Sequence, residues 1–546
     1  MKLFKNIKNW LENQEHLFYL FLLILIVPNV VLCFTEPMPV IAKVCNVLLP
    51  FACYYLLMTL SRNCGKMLWI LFIFLFFGAF QIVLLYLFGQ SIIAVDMFLN
   101  LTTTNSSEAL ELLDNLIPAI VIVVLLYIPA LVLATISIVK KRKLSVEFVR
   151  RERKRAFIVL GISLLCLVGA YVLDSGYELK SDLYPVNVCY NVKLAFQRDA
   201  LTRNYRVTSK DFSFDSQATH PSDKREVYVM VVGETSRALN WQLYGYGRET
   251  NPLLMQQTGL VAFPKVLTES NTTHKSVPML MSPITACDFD SIYYQKGIIT
   301  AFKEAGYHTA FFSNQRYNHS FIDFFGLEAD TSNFIKENSL NSNYNPSDDE
   351  LLKDVKTELD KGAQKLFIVL HTYGSHFNYR ERYPADAAYF KPDFPADAEV
   401  KYRDNLINAY DNTIRYTDGF LSRLIRLLDE QQVDAAMIYT SDHGEDIFDD
   451  SRNLFLHASP VPSYYQLHVP FLVWMSDSYQ KSYPEHWRAL DKNKRKDVSS
   501  STSFFPTMLD LGGIMTPSCN YSQSVASEHY KMKPRVYLND HNEPRP

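Results

Sequence analysis

The run Ala435-Ala436-Met437-Ile438-Tyr439-Thr440-Ser441-Asp442-His443-Gly444-Glu445 decides the fold. Its first five residues are apolar and short enough for a buried strand of a parallel sheet. Acidic, imidazole and small residues follow at once. Ligands of open α/β sheets sit beyond the carboxyl ends of strands, so Asp442 and His443 stand where chemistry is done. A carboxylate beside an imidazole suits zinc. A strand end with a capping Asp and a solvated His is the plainer reading. This run alone does not choose between them.

Working outward, similar β-rich runs occur at 227–232, 308–312, 366–370 and 469–475. Helical patterns at 297–305, 348–361, 402–428 and 501–511 separate them. Strand–helix alternation predicts an α/β domain with a central, mostly parallel, helix-covered sheet. Chemistry-bearing residues gather after the strands: Glu234; then Ser313, Asn314, Gln315 and Arg316; then His371, Gly374, Ser375 and His376; then Asp442, His443 and Glu445, with His457 one loop further. A core has no need of such a set at one sheet edge, whereas a shared metal centre does. Between the first two strands lies Glu269-Ser270-Asn271-Thr272-Thr273-His274-Lys275-Ser276-Val277-Pro278. A hydroxyl here would be a nucleophile if a cation activated it. Ser/Thr-rich stretches are more often turns and caps. Spacing leaves Ser270, Thr272, Thr273 and Ser276 equally eligible.

The 546-residue chain is too long for one ordinary domain. Its net charge of −3 provides no field for nucleic acid. The 48% hydrophobic content is concentrated in the N-terminal third. Five apolar stretches there, 16–34, 40–60, 67–88, 116–139 and 156–173, reach the roughly 20 residues a bilayer demands. Lys2, Lys5 and Lys8 precede the first, which has no small-residue cleavage site, so it reads as a retained helix. Arg62 and Lys66 mark the second loop; Lys140, Lys141, Arg142, Lys143, Arg150, Arg151, Arg153, Lys154 and Arg155 mark the fourth. Loops one and three carry neither Lys nor Arg. The positive-inside rule puts the N-terminus and loops two and four in the cytoplasm. Five crossings then put everything after Leu173 outside, in the periplasm of a bacterium. Loop three reads as a polar turn at 100–108 leading into a short amphipathic helix at 109–113, or into the leading turn of the fourth span. The expected domains are 1–173, five transmembrane helices; 174–223, a linker in which 188–198 forms either an interfacial helix or an ordinary connector; and 224–546, the catalytic domain. Cysteines are few. Cys33, Cys45, Cys53, Cys64 and Cys166 lie in the apolar third, and only Cys189, Cys287 and Cys519 lie beyond. Such sparse cysteines build no dense disulfide framework, and none has CxxC metal spacing.

Taken together, the spans and six ordered blocks resemble a bacterial phosphoethanolamine transferase of the alkaline phosphatase/sulfatase-like superfamily, the group that includes lipid A-modifying enzymes of polymyxin resistance. The blocks are Val232-Gly233-Glu234-Thr235-Ser236-Arg237; Tyr244-Gly245-Tyr246; Thr273 with Ser276-Val277-Pro278; Leu370-His371-Thr372-Tyr373-Gly374-Ser375-His376; the stretch from Asn408 to Asp418; and Ser441-Asp442-His443-Gly444-Glu445. The resemblance implies that Glu234, Thr273, Asp442 and His443 bind Zn2+ and that Thr273 is the nucleophile. His376 and His457 match further active-site histidines, catalytic and substrate-binding. Asn314 falls near a substrate-contacting asparagine, and His371 matches a framework position. The implied reaction is ping-pong. Thr273 takes phosphoethanolamine from phosphatidylethanolamine, and an acceptor glycolipid, lipid A phosphate above all, then receives it. The implied setting is a monomer in the bacterial inner membrane, with a periplasmic catalytic domain and no nucleic-acid partner. Two alternatives stand beside it: a phosphoglycerol transferase with the same threonine chemistry, and a non-catalytic lipid-binding envelope protein. Sulfatase chemistry is disfavoured, because no Cys-x-Pro-x-Arg or Ser-x-Pro-x-Arg run stands at the nucleophile. The chain departs from the family in its scarce cysteines, each missing bridge worth about 2–4 kcal/mol. It departs again in the bulky His274-Lys275 pair after the nucleophile.

Overall fold

The computed structural model describes residues 10–36, 38–88, 93–98, 106–174, 176–339, 344–459 and 461–546. Lys2, Lys5, Lys8 and most of the polar turn of loop three lie outside them. The chain divides into two compact units, Met1–Leu99 with Leu112–Gln197, and Asn100–Glu111 with Arg198–Pro546.

The first unit is helical. Gln14–Thr35, Val40–Met58, Leu116–Val139 and Val146–Leu173 are each long and apolar enough to cross a membrane. The stretch expected as one span at 67–88 is instead a broken pair, Cys64–Ile70 and Phe72–Phe88, bent by 62°. Hydrogen bonds tie the helix ends of this unit together. Loop two holds loop four: Arg62 Nε donates to the Leu144 carbonyl at 2.8 Å, and the Leu144 N–H donates to the Arg62 carbonyl at 2.7 Å. Ser137 Oγ meets Gln14 Oε1 at 2.5 Å, so the first helix starts on that same side. The helix Ser106–Val139 ends beside the same loops. Among the described residues, four helices, or five spans if the bent pair counts as one, are long and apolar enough to cross. Leu125, Leu165 and Val172 are 70, 74 and 76% exposed on these helices, a surface suited to lipid and not to water. This is a multi-pass membrane protein. Loop three's helix runs unbroken from Ser106 into the fourth span. In the linker, Tyr177 and Tyr184 are buried against first-unit helices, through Tyr177 Oη on Asn46 at 2.9 Å and the Tyr184 carbonyl on Asn29 at 2.7 Å. Residues 188–198 belong to the longer helix Val186–Thr208.

The second unit is built on a seven-stranded sheet. In spatial order its strands are Leu260–Ala262, Phe471–Met475, Asp434–Ser441, Glu226–Gly233, Lys365–His371, His308–Ser313 and Thr331–Phe334. The last five are parallel. Phe471–Met475 runs antiparallel to Asp434–Ser441, and Leu260–Ala262 antiparallel to it in turn, so the sheet is mixed at one edge. Central strands are covered on both faces, which is why they read as unbroken apolar runs. Their register is the functional point. Gly233 pairs with Ser441, Val232 with His371, and Ser313 with His371. The residues that follow these strands therefore emerge along one line.

Candidate active site

Glu234 leaves the strand Glu226–Gly233, and Asp442 and His443 leave its neighbour Asp434–Ser441. Thr273 starts the helix Thr273–Leu280. The four side chains meet. Thr273 Oγ1 is 3.1 Å from Glu234 Oε1 and 3.1 Å from His443 Nε2. His443 Nε2 is 3.2 Å from Asp442 Oδ2 and 3.6 Å from Glu234 Oε1. Four donors about 2.0 Å from a zinc ion at the centre of a tetrahedron would be separated by roughly 3.3 Å. The observed spacings match that figure. Glu234, Asp442 and His443 form a cluster able to hold a metal ion.

The electrostatics agree. Asp442 Oδ1 accepts the N–H groups of Thr235 at 3.0 Å and His443 at 2.7 Å, while Oδ2 is buried with no hydrogen-bond partner. Burial pushes the carboxyls of Glu234 and Asp442 upward, Glu234 further because Asp442 lies beside it. Burial, then His457, pushes His443 well below its ordinary value. Two crowded carboxylates and an uncharged imidazole out of water are costly alone and suited to a dication. The residues present fit zinc.

The structure separates the four hydroxyls that sequence left equal. Ser276 Oγ donates to the Asp442 carbonyl at 2.5 Å, and Ser270 and Thr272 bond each other at 3.1 Å. Only Thr273 faces the cluster. Lys275 is buried and donates to the Asn539 carbonyl at 3.2 Å, so of the bulky pair it is a packing element.

His457 Nδ1 lies 3.0 Å from Glu445 Oε2, and its ring centre is 4.1 Å from that of His443. Tyr379 Oη donates to the other Glu445 oxygen. His376 Nδ1 is 2.6 Å from the Phe377 carbonyl, and its ring stacks on Tyr373 at 5.1 Å. Burial, reinforced by Arg382, holds His376 well below the usual histidine range. The His376 and His457 rings are 6.2 Å apart. Both rings engage Nδ1 locally. Asn314 is placed otherwise. Its amide nitrogen donates to the Pro346 carbonyl at 3.0 Å and to Asp348 Oδ1 at 2.8 Å. It is Gln315 that reaches the cluster, with Nε2 3.1 Å from Glu234 Oε2. Gln315 stood among the strand-end residues, and no spacing singled it out from its neighbours. His371 is buried beside it, its imidazole pushed down to about 3 by desolvation.

The remaining sequence blocks form the support. Tyr410 Oη accepts the Arg237 N–H at 2.8 Å and donates to the Thr235 carbonyl at 2.7 Å. Asp411 takes hydrogen bonds from Asn240 at 2.6 Å and Tyr246 at 2.9 Å. Thr235 itself has φ of 58°, a left-handed conformation that costs of order 1–3 kcal/mol and persists because these bonds fix it. The eight cysteines make no disulfide, and Cys287 is exposed.

Residues 226–514 match the family description Sulfatase, more than half of the chain. The chain belongs to the sulfatase family, and within it resembles the phosphoethanolamine transferases. Over 301 residues it is 30% identical to phosphoethanolamine transferase EptA of Escherichia coli K12, covering 54% of each chain. Over 317 residues it is 29% identical to the Kdo(2)-lipid A phosphoethanolamine 7''-transferase of Salmonella typhimurium, covering 56% of this chain and 54% of that one. The chain thus spans about half the length of the curated relatives it matches. The integral membrane lipooligosaccharide phosphoethanolamine transferase A of Neisseria meningitidis shares its fold at a TM-score of 0.73 and 22% identity, over 93% of this chain and 97% of that one.

Proposed function

We propose that this protein transfers phosphoethanolamine from phosphatidylethanolamine to an envelope glycolipid, most directly a lipid A phosphate, from the periplasmic face of a bacterial inner membrane. One observation carries the reading: a threonine hydroxyl 3.1 Å from both a carboxylate and an imidazole that face a shared metal position. The names of the two curated relatives support the group transferred, and that of the Salmonella enzyme supports the acceptor class.

Glu234, Asp442, His443 and Thr273 would hold zinc, which when bound makes a hydroxyl more acidic and offsets charge on phosphoryl oxygens. The protein's own residues do the rest. Thr273 Oγ1 attacks the phosphorus of phosphatidylethanolamine, and the phosphorus–oxygen bond to the glycerol breaks. Nε2 of His376 or His457, bare because Nδ1 carries the ring proton, takes up the Thr273 hydroxyl proton and returns it to the departing diacylglycerol oxygen. Glu445 fixes the tautomer and aim of His457, as the Phe377 carbonyl does for His376. In the second half an acceptor oxygen, deprotonated by a histidine, attacks the same phosphorus and Thr273 leaves. The apolar helices keep this chemistry on a chain anchored among its lipid substrates.

The test is a covalent adduct. Purified protein incubated with labelled phosphatidylethanolamine should carry phosphoethanolamine on Thr273 by mass spectrometry, and Thr273→Ala should carry none. An adduct on another residue, or labelling from phosphatidylglycerol alone, would refute the assignment. In the second case the phosphoglycerol transferase takes its place. Lipid A mass spectra with and without the expressed protein then test the acceptor.

A further inference from the structure

Behind Glu234 lies a closed ring of hydrogen bonds that the proposed reaction does not use. Gln315 Nε2 stands 3.1 Å from Glu234 Oε2, 3.2 Å from His371 Nε2 and 3.2 Å from the Thr372 carbonyl oxygen. Ser313 Oγ is 3.3 Å from His371 Nδ1 and accepts the Gln315 backbone N–H at 3.1 Å. These neighbours dictate the amide's orientation. A carboxylate and a carbonyl only accept, so the NH2 end of Gln315 must face them. Reversed, its oxygen would meet two acceptors with no proton between them. His371 Nε2 can then only accept, sharing the two amide protons with the carboxylate and the carbonyl, which puts the imidazole proton on Nδ1, toward Ser313 Oγ. Every member of the ring thereby has a defined donor or acceptor role, and His371, 1% exposed, has no freedom to turn. The ring ends on one oxygen of Glu234. The other, Oε1, accepts from Thr235 Oγ1 at 2.9 Å and from Thr273 Oγ1 at 3.1 Å.

We propose that Gln315 and His371 are positioning residues that set the metal affinity of the site. Gln315 ties back Glu234 Oε2 so that Oε1 points at Thr273 and His443, and His371 locks the amide that does so. The inference rests on the reading of Glu234, Asp442 and His443 as metal ligands. Groups of this kind, one bond removed from a ligand, typically change metal affinity by about 10–100-fold when removed.

The experiment is a zinc dissociation constant, measured on the full chain in detergent by competition with a chromogenic chelator. Four proteins are compared: wild type, Gln315→Met, His371→Phe and the double variant. Gln315→Met should weaken zinc by about 10–100-fold. His371→Phe should weaken it less, and should add nothing once Gln315 is gone, because its influence passes through the amide. Melting of the metal-free proteins separates this from damage to the fold, since a merely structural role lowers the melting temperature and leaves the affinity of the folded fraction unchanged. Zinc bound within twofold of wild type by Gln315→Met, or effects of the two substitutions that simply add, would overturn the proposal alone. Failure of the wild-type protein to bind zinc would overturn the metal reading with it.

Discussion

Arg237 shows what one buried side chain holds in place. Its guanidinium donates to Asp449 Oδ2 at 2.6 Å, to the Glu445 carbonyl at 3.0 Å and to Asn240 Oδ1 at 2.6 Å. The rings of Tyr410 and Tyr465 lie 5.5 Å from it. Removing one member of a buried pair strands the other, at a cost of about 3–5 kcal/mol. Arg237→Met is therefore expected to lower the melting temperature of the second unit by about 10 °C. Arg237→Lys should recover little, because an ammonium lacks the planar fork. Calorimetry of the purified variants checks both, and a drop below about 2 °C would contradict the account. Glu234 and the Asp442–His443 pair were legible in the sequence because each follows a strongly apolar run. Two details were not. The choice among Ser270, Thr272, Thr273 and Ser276 depends on where one short helix begins. Which of the adjacent Asn314 and Gln315 side chains turns toward Glu234 is likewise recorded by no periodicity.

At the scale of elements, the site depends on the turn after Lys365–His371. Gly374 has φ of 50°, and a Cβ there would fall 2.6 Å from the Glu234 carbonyl oxygen and 3.0 Å from its nitrogen. Backbone cannot yield as a side-chain tip does. Gly374→Ala should therefore displace Glu234 and weaken zinc binding by at least about tenfold, with a stability loss of order 1–3 kcal/mol. Chelator competition and thermal melting measure the two effects, and unaltered zinc affinity would show that the turn has slack. Sequence disclosed the five doubly covered strands through their unbroken apolar runs. It missed Leu260–Ala262 and Thr331–Phe334, which are three and four residues long, the second largely polar. It also gave no direction for Phe471–Met475, since an apolar run reads alike both ways. The break at Leu71 went unseen because no Pro or Gly marks it.

Over the whole molecule, one acid-sensitive contact lies at the end of the sheet away from the metal cluster. Glu226 accepts from Lys365 at 2.8 Å, Tyr307 at 2.9 Å and Tyr483 at 3.1 Å, and lies 3.2 Å from His220 Nδ1. Burial alone would raise this carboxyl, but His220 and Lys365 outweigh it and hold it at about 2. A carboxyl depressed in the folded state stabilises fully above its unfolded value of about 4.3 and loses that contribution as pH falls toward 2. Lys365→Met removes one of the opposing charges, so acid unfolding followed by circular dichroism should begin at higher pH. A curve superimposable on wild type would exclude this pair as the cause. The division into two units has a corollary of its own. Every proposed zinc donor belongs to Arg198–Pro546, and every crossing helix long enough to act as an anchor ends before it. Cleaving the polypeptide between them would part every proposed metal donor from every apolar helix able to hold it at a bilayer.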